Sequence, residues 1–167
     1  MTTAVKKELV IERVFNAPRA LVWKAFTEAD HLKHWWGPVG FKLEVLKLDL
    51  RNGGVLHYAM RADNGAEMFG RFDYIEVLAP EKIVFTNSFS DTKGNHTRAP
   101  FSNDWPIKVM NTWTFEEKNG RTTLVLRGTP FEANEAEIKR FAEEFPGMNK
   151  GFGGTFDQLD AYLSTLR

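Results

Sequence analysis

Apolar residues change rhythm along this 167-residue chain, and each change predicts an element. Residues 7–15, KELVIERVF, alternate as a strand does. Pro18 then stands where a first helical turn tolerates proline, and Leu21, Val22, Ala25 and Phe26 follow at helical spacing. Thr27-Glu28-Ala29-Asp30 has the form of a capping box, which predicts a second short helix ending at Trp35-Trp36 before Gly37-Pro38 stops it. Neighbours on a helix point about 100° apart, so the two indoles cannot share one environment. Trp35 is assigned to the core and Trp36 to the rim of a hollow, where its N–H needs a partner.

After Val39 the period becomes two. Asn52-Gly53, Asn64-Gly65 and Asn119-Gly120 separate strand-like runs, and Ala79-Pro80-Glu81 adds a further turn. About six antiparallel strands are expected here. The alternation slips once within 41–50 and again near Tyr74-Ile75. A slip is the mark of a β-bulge or of a strand buried on both faces, and two slips favour a strongly curved sheet. From Asn134, with Glu137 as a second cap, the chain turns helical through Ile138, Phe141, Ala142 and Phe145. Pro146-Gly147 interrupts or kinks it. Met148, Phe152, Phe156, Leu159, Leu163 and Leu166 then form a stripe that must lie on the concave sheet. The expected fold is α+β, a seven-stranded curved antiparallel sheet around a long C-terminal helix in the order β-αα-β6-α. One domain, 1–167, is expected.

Register follows from the turns. Counting outward from Asn119-Gly120 sets Lys118 opposite Arg121, Glu116 opposite Thr123, Phe115 opposite Leu124 and Trp113 opposite Leu126. Val109, Asn111, Trp113 and Phe115 then face inward and Arg127 outward. Asn111 is a polar exception on an apolar face. It either bonds to nearby backbone or water or orients a ligand. Around Asn64-Gly65, a two-residue loop would turn Arg71 and Asp73 inward and make them the leading polar site. A three-residue loop would turn Gly70, Phe72 and Tyr74 inward beside Leu56, Tyr58 and Met60. Burying charge is costly, so the three-residue loop is favoured.

Composition narrows the function. Lys plus Arg and Asp plus Glu both number 22, so no field draws the chain to nucleic acid or an anionic membrane. Aromatics reach 13%, which calls for a large apolar interior. Cysteine is absent, excluding disulfides, thiolate metal sites and Cys nucleophiles. MTTAVKKELVIERVF lacks the apolar core of a signal peptide and no run reaches spanning length, so a cytoplasmic protein without membrane insertion is expected. His31 and His34 stand i, i+3 without a third ligand, and His57 and His96 are isolated, the first on the outer face and the second in a loop. There is no G-x-S-x-G, phosphate loop or H-E-x-x-H. Neither metal nor cofactor is expected, and catalysis is the weaker expectation. The stretch 90–106, with Phe101 and Trp105, is long enough to be a lid or a connector.

Arg13-Val14-Phe15, Ala17-Pro18, Val22-Trp23, Trp35-Trp36-Gly37-Pro38, Gly53-Gly54, Gly70-Arg71-Phe72, the run from Pro80 to Thr86, and Gly151-Phe152 together resemble a known family. It is the START-like (SRPBCC) superfamily, and within it the homologues of the activator of heat-shock-protein-90 ATPase. A Trp usually stands where this chain has Phe152. The resemblance covers nearly the whole chain and rests on the order and spacing of these motifs. It implies a helix-grip fold with a cavity between sheet and long helix that binds lipids, sterols, polyketides or other apolar molecules. A minority of the superfamily does chemistry there. The eukaryotic activator carries a separate N-terminal domain, whereas here the domain is expected to begin within the first ten residues. The expected function is binding of a small hydrophobic or amphipathic molecule. The alternatives are a cyclase- or hydrolase-like enzyme on a hydrophobic substrate and a co-chaperone that contacts a heat-shock ATPase. Candidate ligand-binding residues are Trp36, Tyr58, Phe72, Asn111, Trp113, Phe152 and Phe156.

Overall fold

The computed structural model describes residues 8–166. Strand β1 (Leu9–Phe15) leads to helices α1 (Arg19–Thr27) and α2 (Ala29–Leu32). Lys7, expected to open β1, lies outside the described residues. A meander follows: β2 (Phe41–Leu48), β3 (Val55–Ala62), β4 (Glu67–Leu78), β5 (Lys82–Ser90), β6 (His96–Thr97), β7 (Lys108–Lys118) and β8 (Arg121–Phe131). Helices α3 (Glu135–Glu143) and α4 (Phe145–Ser164) end the chain. All strand pairs are antiparallel, in the order β1-β8-β7-β5-β4-β3-β2. This is the helix-grip arrangement, α+β with a curved sheet.

Two counts differ from the sequence expectation. The extra strand is β6, a two-residue piece that pairs Phe89 and Ser90 beyond the point where β7 leaves β5. The C-terminal helical run is two helices, because Pro146 has no N–H to donate and its ring would crowd a preceding carbonyl. It therefore fits only the first turn of a new helix, α4. Asn134 and Glu137 form the expected capping box on α3, with Glu137 N donating to Asn134 Oδ1 at 2.8 Å.

The capping box expected at Thr27 is absent. Thr27 closes α1 instead, its buried hydroxyl donating to the Trp23 carbonyl at 2.6 Å. With the Thr27 hydroxyl turned back onto α1, Glu28 is the cap of α2 and makes no side-chain cap bond.

Both phase slips are bulges. The register shifts between Val45 and Lys47 and between Tyr74 and Glu76, and the extra residues, Leu46 and Ile75, turn to solvent. The hairpin at Asn119-Gly120 has the expected register, and both turn residues have positive φ, 54° and 76°. At Asn64-Gly65 Tyr58 faces Gly70 and Leu56 faces Phe72, so the loop has three residues. A Cβ at Gly70 would lie 2.4 Å from the Tyr58 ring and hydroxyl that cover it, so any side chain there would have to displace Tyr58.

Strands β1 and β2 are the two edges of the sheet, and α1–α2 run between them in sequence. Phe26 from α1 and Phe156 from α4 pack edge-on or tilted around Trp35, and both also meet sheet aromatics, Phe115 and Phe15. Phe156, Leu159 and Leu163 are the buried stripe of α4, and Arg13 on β1 pairs with Asp157 and Asp160 on that helix. Among the described residues no helix is long and apolar enough to cross a membrane.

Candidate functional site

The sheet and α4 do not close completely on each other. Between them lies a cavity of about 460 Å³, within the range of small-molecule pockets. Its walls come from elements far apart in the chain, and the reason is alternation: inward positions of β3, β4, β5 and β7 all point at the same space. Tyr58, Phe72, Phe85 and Trp113 form the sheet wall, with Phe72 stacked on Phe85 at 4.3 Å and Trp113 edge-on to Phe85. Phe152 and Met148 supply the helix wall.

Trp36 completes the sheet side. Its ring meets Phe72, Trp113 and Tyr58 at 5.6, 5.7 and 6.4 Å between centroids. Trp35 points the other way, 1% exposed, with Nε1 donating to the Ala25 carbonyl at 2.9 Å. The assignment of the two indoles is as the sequence led us to expect, with one difference. Trp36 Nε1 is buried without a hydrogen-bond partner, as is Trp113 Nε1. The nearby Trp36 N–H lowers the pKa of the Tyr58 phenol. Burial dominates and pushes the Tyr58 phenol up to about 12.

What holds this wall in place is the turn after Trp36. Gly37 has φ +109°, which an L side chain rarely adopts, and its carbonyl accepts from Thr155 Oγ1 at 3.1 Å and Gln158 Nε2 at 2.9 Å on α4. The glycines of α4 leave space, as a Cβ at Gly151 or Gly153 would meet nothing within 4 Å.

Six of the seven candidate residues, Trp36, Tyr58, Phe72, Asn111, Trp113 and Phe152, line the cavity. Phe156 does not. It lies one helical turn beyond Phe152, stacked on it at 5.7 Å, and is enclosed by Phe15, Phe26 and Trp35. Asn111 is 5% exposed and has the partner a buried amide needs: its Nδ2 donates to Asn87 Oδ1 at 2.7 Å and to the Val109 carbonyl at 3.1 Å. Asn87 is the polar residue missed in the sequence. The signal was there, since it occupies the inward phase after Ile83 and Phe85 and before Phe89.

The stretch 90–106 divides in two. Residues 91–95 form a turn in which Asp91 accepts from Lys93 N, Asn95 N and Asn95 Nδ2, each at 2.9 Å. That turn covers the outer sheet face and buries His57, whose Nε2 lies 3.1 Å from Ser90 Oγ. Arg71 and Asp73 are on the same outer face, paired at 2.7 Å, with His96 3.4 Å from Asp73. The outer assignment of His57 holds, but it is enclosed rather than solvated. His96 belongs to β6 rather than to a loop.

The second part reaches the cavity. Phe101 and Trp105 line it, and Trp105 packs on Phe141 of α3. Arg98 pins this part, donating to Glu137 at 2.5 Å and to the Trp105 carbonyl at 3.1 Å. His31 and His34 engage Tyr162, by a 2.6 Å hydrogen bond and by stacking at 4.7 Å. Among the described residues no three potential metal ligands cluster.

Known proteins share this architecture. A crystal structure of protein Ms6760 from Mycobacterium smegmatis is 28% identical, with a TM-score of 0.76 over 95% of this chain and 91% of that one. A solution structure of a protein from Arthrobacter aurescens is 26% identical, with a TM-score of 0.78 over 95% and 86%. One from Staphylococcus epidermidis, 24% identical with a TM-score of 0.76 over 99% and 94%, shares the fold. No curated relative matches the chain. The model of the family described as activator of Hsp90 ATPase homolog 1-like protein matches residues 16–164. The chain belongs to that family, within the START-like superfamily.

Proposed function

We propose that this protein binds a small apolar or amphipathic molecule in the cavity between the sheet and α4. The observation that carries this reading is the cavity itself, about 460 Å³ of space walled mainly by aromatic rings with a few convergent polar groups. A core built only for stability fills such a volume, because interiors pack at crystal-like density and voids are costly. Binding rather than turnover is favoured by the state of the polar groups. Tyr58, pushed up to about 12, holds its proton at neutral pH, Asn111 and Asn87 are not titratable, and Glu144 is a single carboxylate with no second acid or base among the lining residues to work with. The candidate contacts are Trp36, Tyr58, Phe72, Asn111, Trp113 and Phe152.

Native mass spectrometry of the purified protein, followed by titration with N-phenyl-1-naphthylamine, tests the reading. A co-purified lipid-like mass, or saturable probe fluorescence released by an apolar competitor, is the expected result. The family's description names an activator of a chaperone ATPase. Absence of any bound mass or probe response, together with stimulation of such an ATPase, would replace ligand binding with that role.

A further inference from the structure

Beside the Tyr58 hydroxyl and the Glu144 carboxylate, the cavity carries a built amide pair, Asn87 and Asn111, and its chemistry selects a head group. Asn111 Nδ2 spends both N–H bonds, on Asn87 Oδ1 and on the Val109 carbonyl. The Val109 contact fixes which way the Asn111 amide points, since the flipped form would set two oxygens against each other. The atom of Asn87 facing Asn111 Nδ2 must then be its oxygen. Two groups are left over: the Asn87 Nδ2 donors, and Asn111 Oδ1 as an acceptor. Among the described residues neither has a protein partner. Across the sheet from Asn111 stands Gly128, where a Cβ would approach Asn111 Oδ1 to 3.3 Å, so no side chain covers that oxygen from β8.

Charge in the cavity is equally specific. Among its lining residues no Lys, Arg or His occurs, and Glu144, at the start of α4, is the one carboxylate. The Thr155 hydroxyl is spent on the Gly37 carbonyl. A carboxylate head brought here would leave water without a cation to pair with and would set its oxygens against Asn111 Oδ1. A group that both donates and accepts would satisfy both free amide groups.

We propose that the cavity takes an amphiphile with a neutral head that donates and accepts a hydrogen bond, an alcohol or a primary amide, and rejects the carboxylate of the same length. This inference rests on the binding reading above and names its ligand class.

Displacement of N-phenyl-1-naphthylamine at about pH 8 by octan-1-ol, octanamide, octanoate and 1-methoxyheptane tests it. The alcohol and amide are expected to displace the probe at roughly tenfold lower concentration than octanoate, with the ether between, since it accepts without donating. In the double variant Asn87→Leu/Asn111→Leu the probe should still bind and the preference for alcohol over ether should vanish. Should that variant not fold, Asn87→Ala, which leaves Asn111 its Val109 bond, is expected to weaken the preference. Octanoate competing as well as the alcohol, or the preference surviving in the folded variant, overturns the head-group assignment while binding stands. Failure of the probe and all four compounds to bind the parent protein overturns the binding reading and this inference with it.

Discussion

Trp35→Phe removes the bond from Nε1 to the Ala25 carbonyl and opens a gap among Phe26, Trp36 and Phe156. The expected cost is about 1–3 kcal/mol, read as a lower urea midpoint. Trp36→Phe removes an N–H that has no partner, so stability should change by less than about 1 kcal/mol while the apolar-probe response falls. The opposite pair of outcomes would exchange the two roles. At this scale the sequence was informative where neighbours constrain each other, as at Trp35-Trp36 and at Asn111. It was silent on how a hydroxyl is spent. Thr27-Glu28-Ala29-Asp30 fits a capping box equally well whether Thr27 caps α2 or bonds back to Trp23. Phe152 and Phe156 likewise share one stripe, and only the crossing of α4 over β1 makes the second a core residue.

Helix α4 carries Gly151 where a side chain would meet open space. Gly151→Ala should therefore raise stability by up to about 1 kcal/mol through helix propensity alone, with probe binding unchanged. Gly151→Leu should keep the helix by circular dichroism but weaken probe binding as its side chain enters the cavity. Equal probe binding in both variants would show that this part of the helix does not border the bound molecule. The hairpins were the most legible elements, because only one register sorts the apolar residues onto one face and the charged ones onto the other. At 64–65 the penalty for turning Arg71 and Asp73 inward selected the observed loop. Strand β6 was not legible: two residues carry no periodicity, so nothing in 90–106 announced the turn that buries His57, and its length left open whether Phe101 and Trp105 belonged to a lid or to a connector.

For the molecule as a whole, the buried phenols set an alkaline limit. Burial pushes both Tyr58 and Tyr74 up, Tyr58 to about 12, whereas an unfolded tyrosine ionises near 10. Between those values the unfolded chain has released protons that the folded one keeps, so stability falls as pH rises. The contribution is complete below about pH 10 and is lost toward about pH 12, at up to about 1.4 kcal/mol per pH unit for each tyrosine. Urea midpoints should decline from about pH 10 upward and decline less in Tyr58→Phe. A level midpoint through about pH 11 would mean that the phenols titrate in the folded state. The curved sheet and its central helix were predictable from periodicity, but the free volume between them was not, since it depends on how far two packed surfaces stand apart. The pairing of β1 with β8 sets Leu9 against Gly128 and Phe15 against Thr122, across most of the chain's length. Such long loops close at an entropic cost that the local hairpins do not carry, so the hairpins should form early in refolding and β1 should dock late. Leu9→Ala is then expected to speed unfolding and spare the refolding rate, whereas Leu124→Ala in β8 slows refolding. Leu9 also lines the cavity. If β1 docks last as expected, the end of the strand that carries Leu9 would be the first part of the compartment to open, and its fraying would give a bound molecule a way in and out without unfolding the rest.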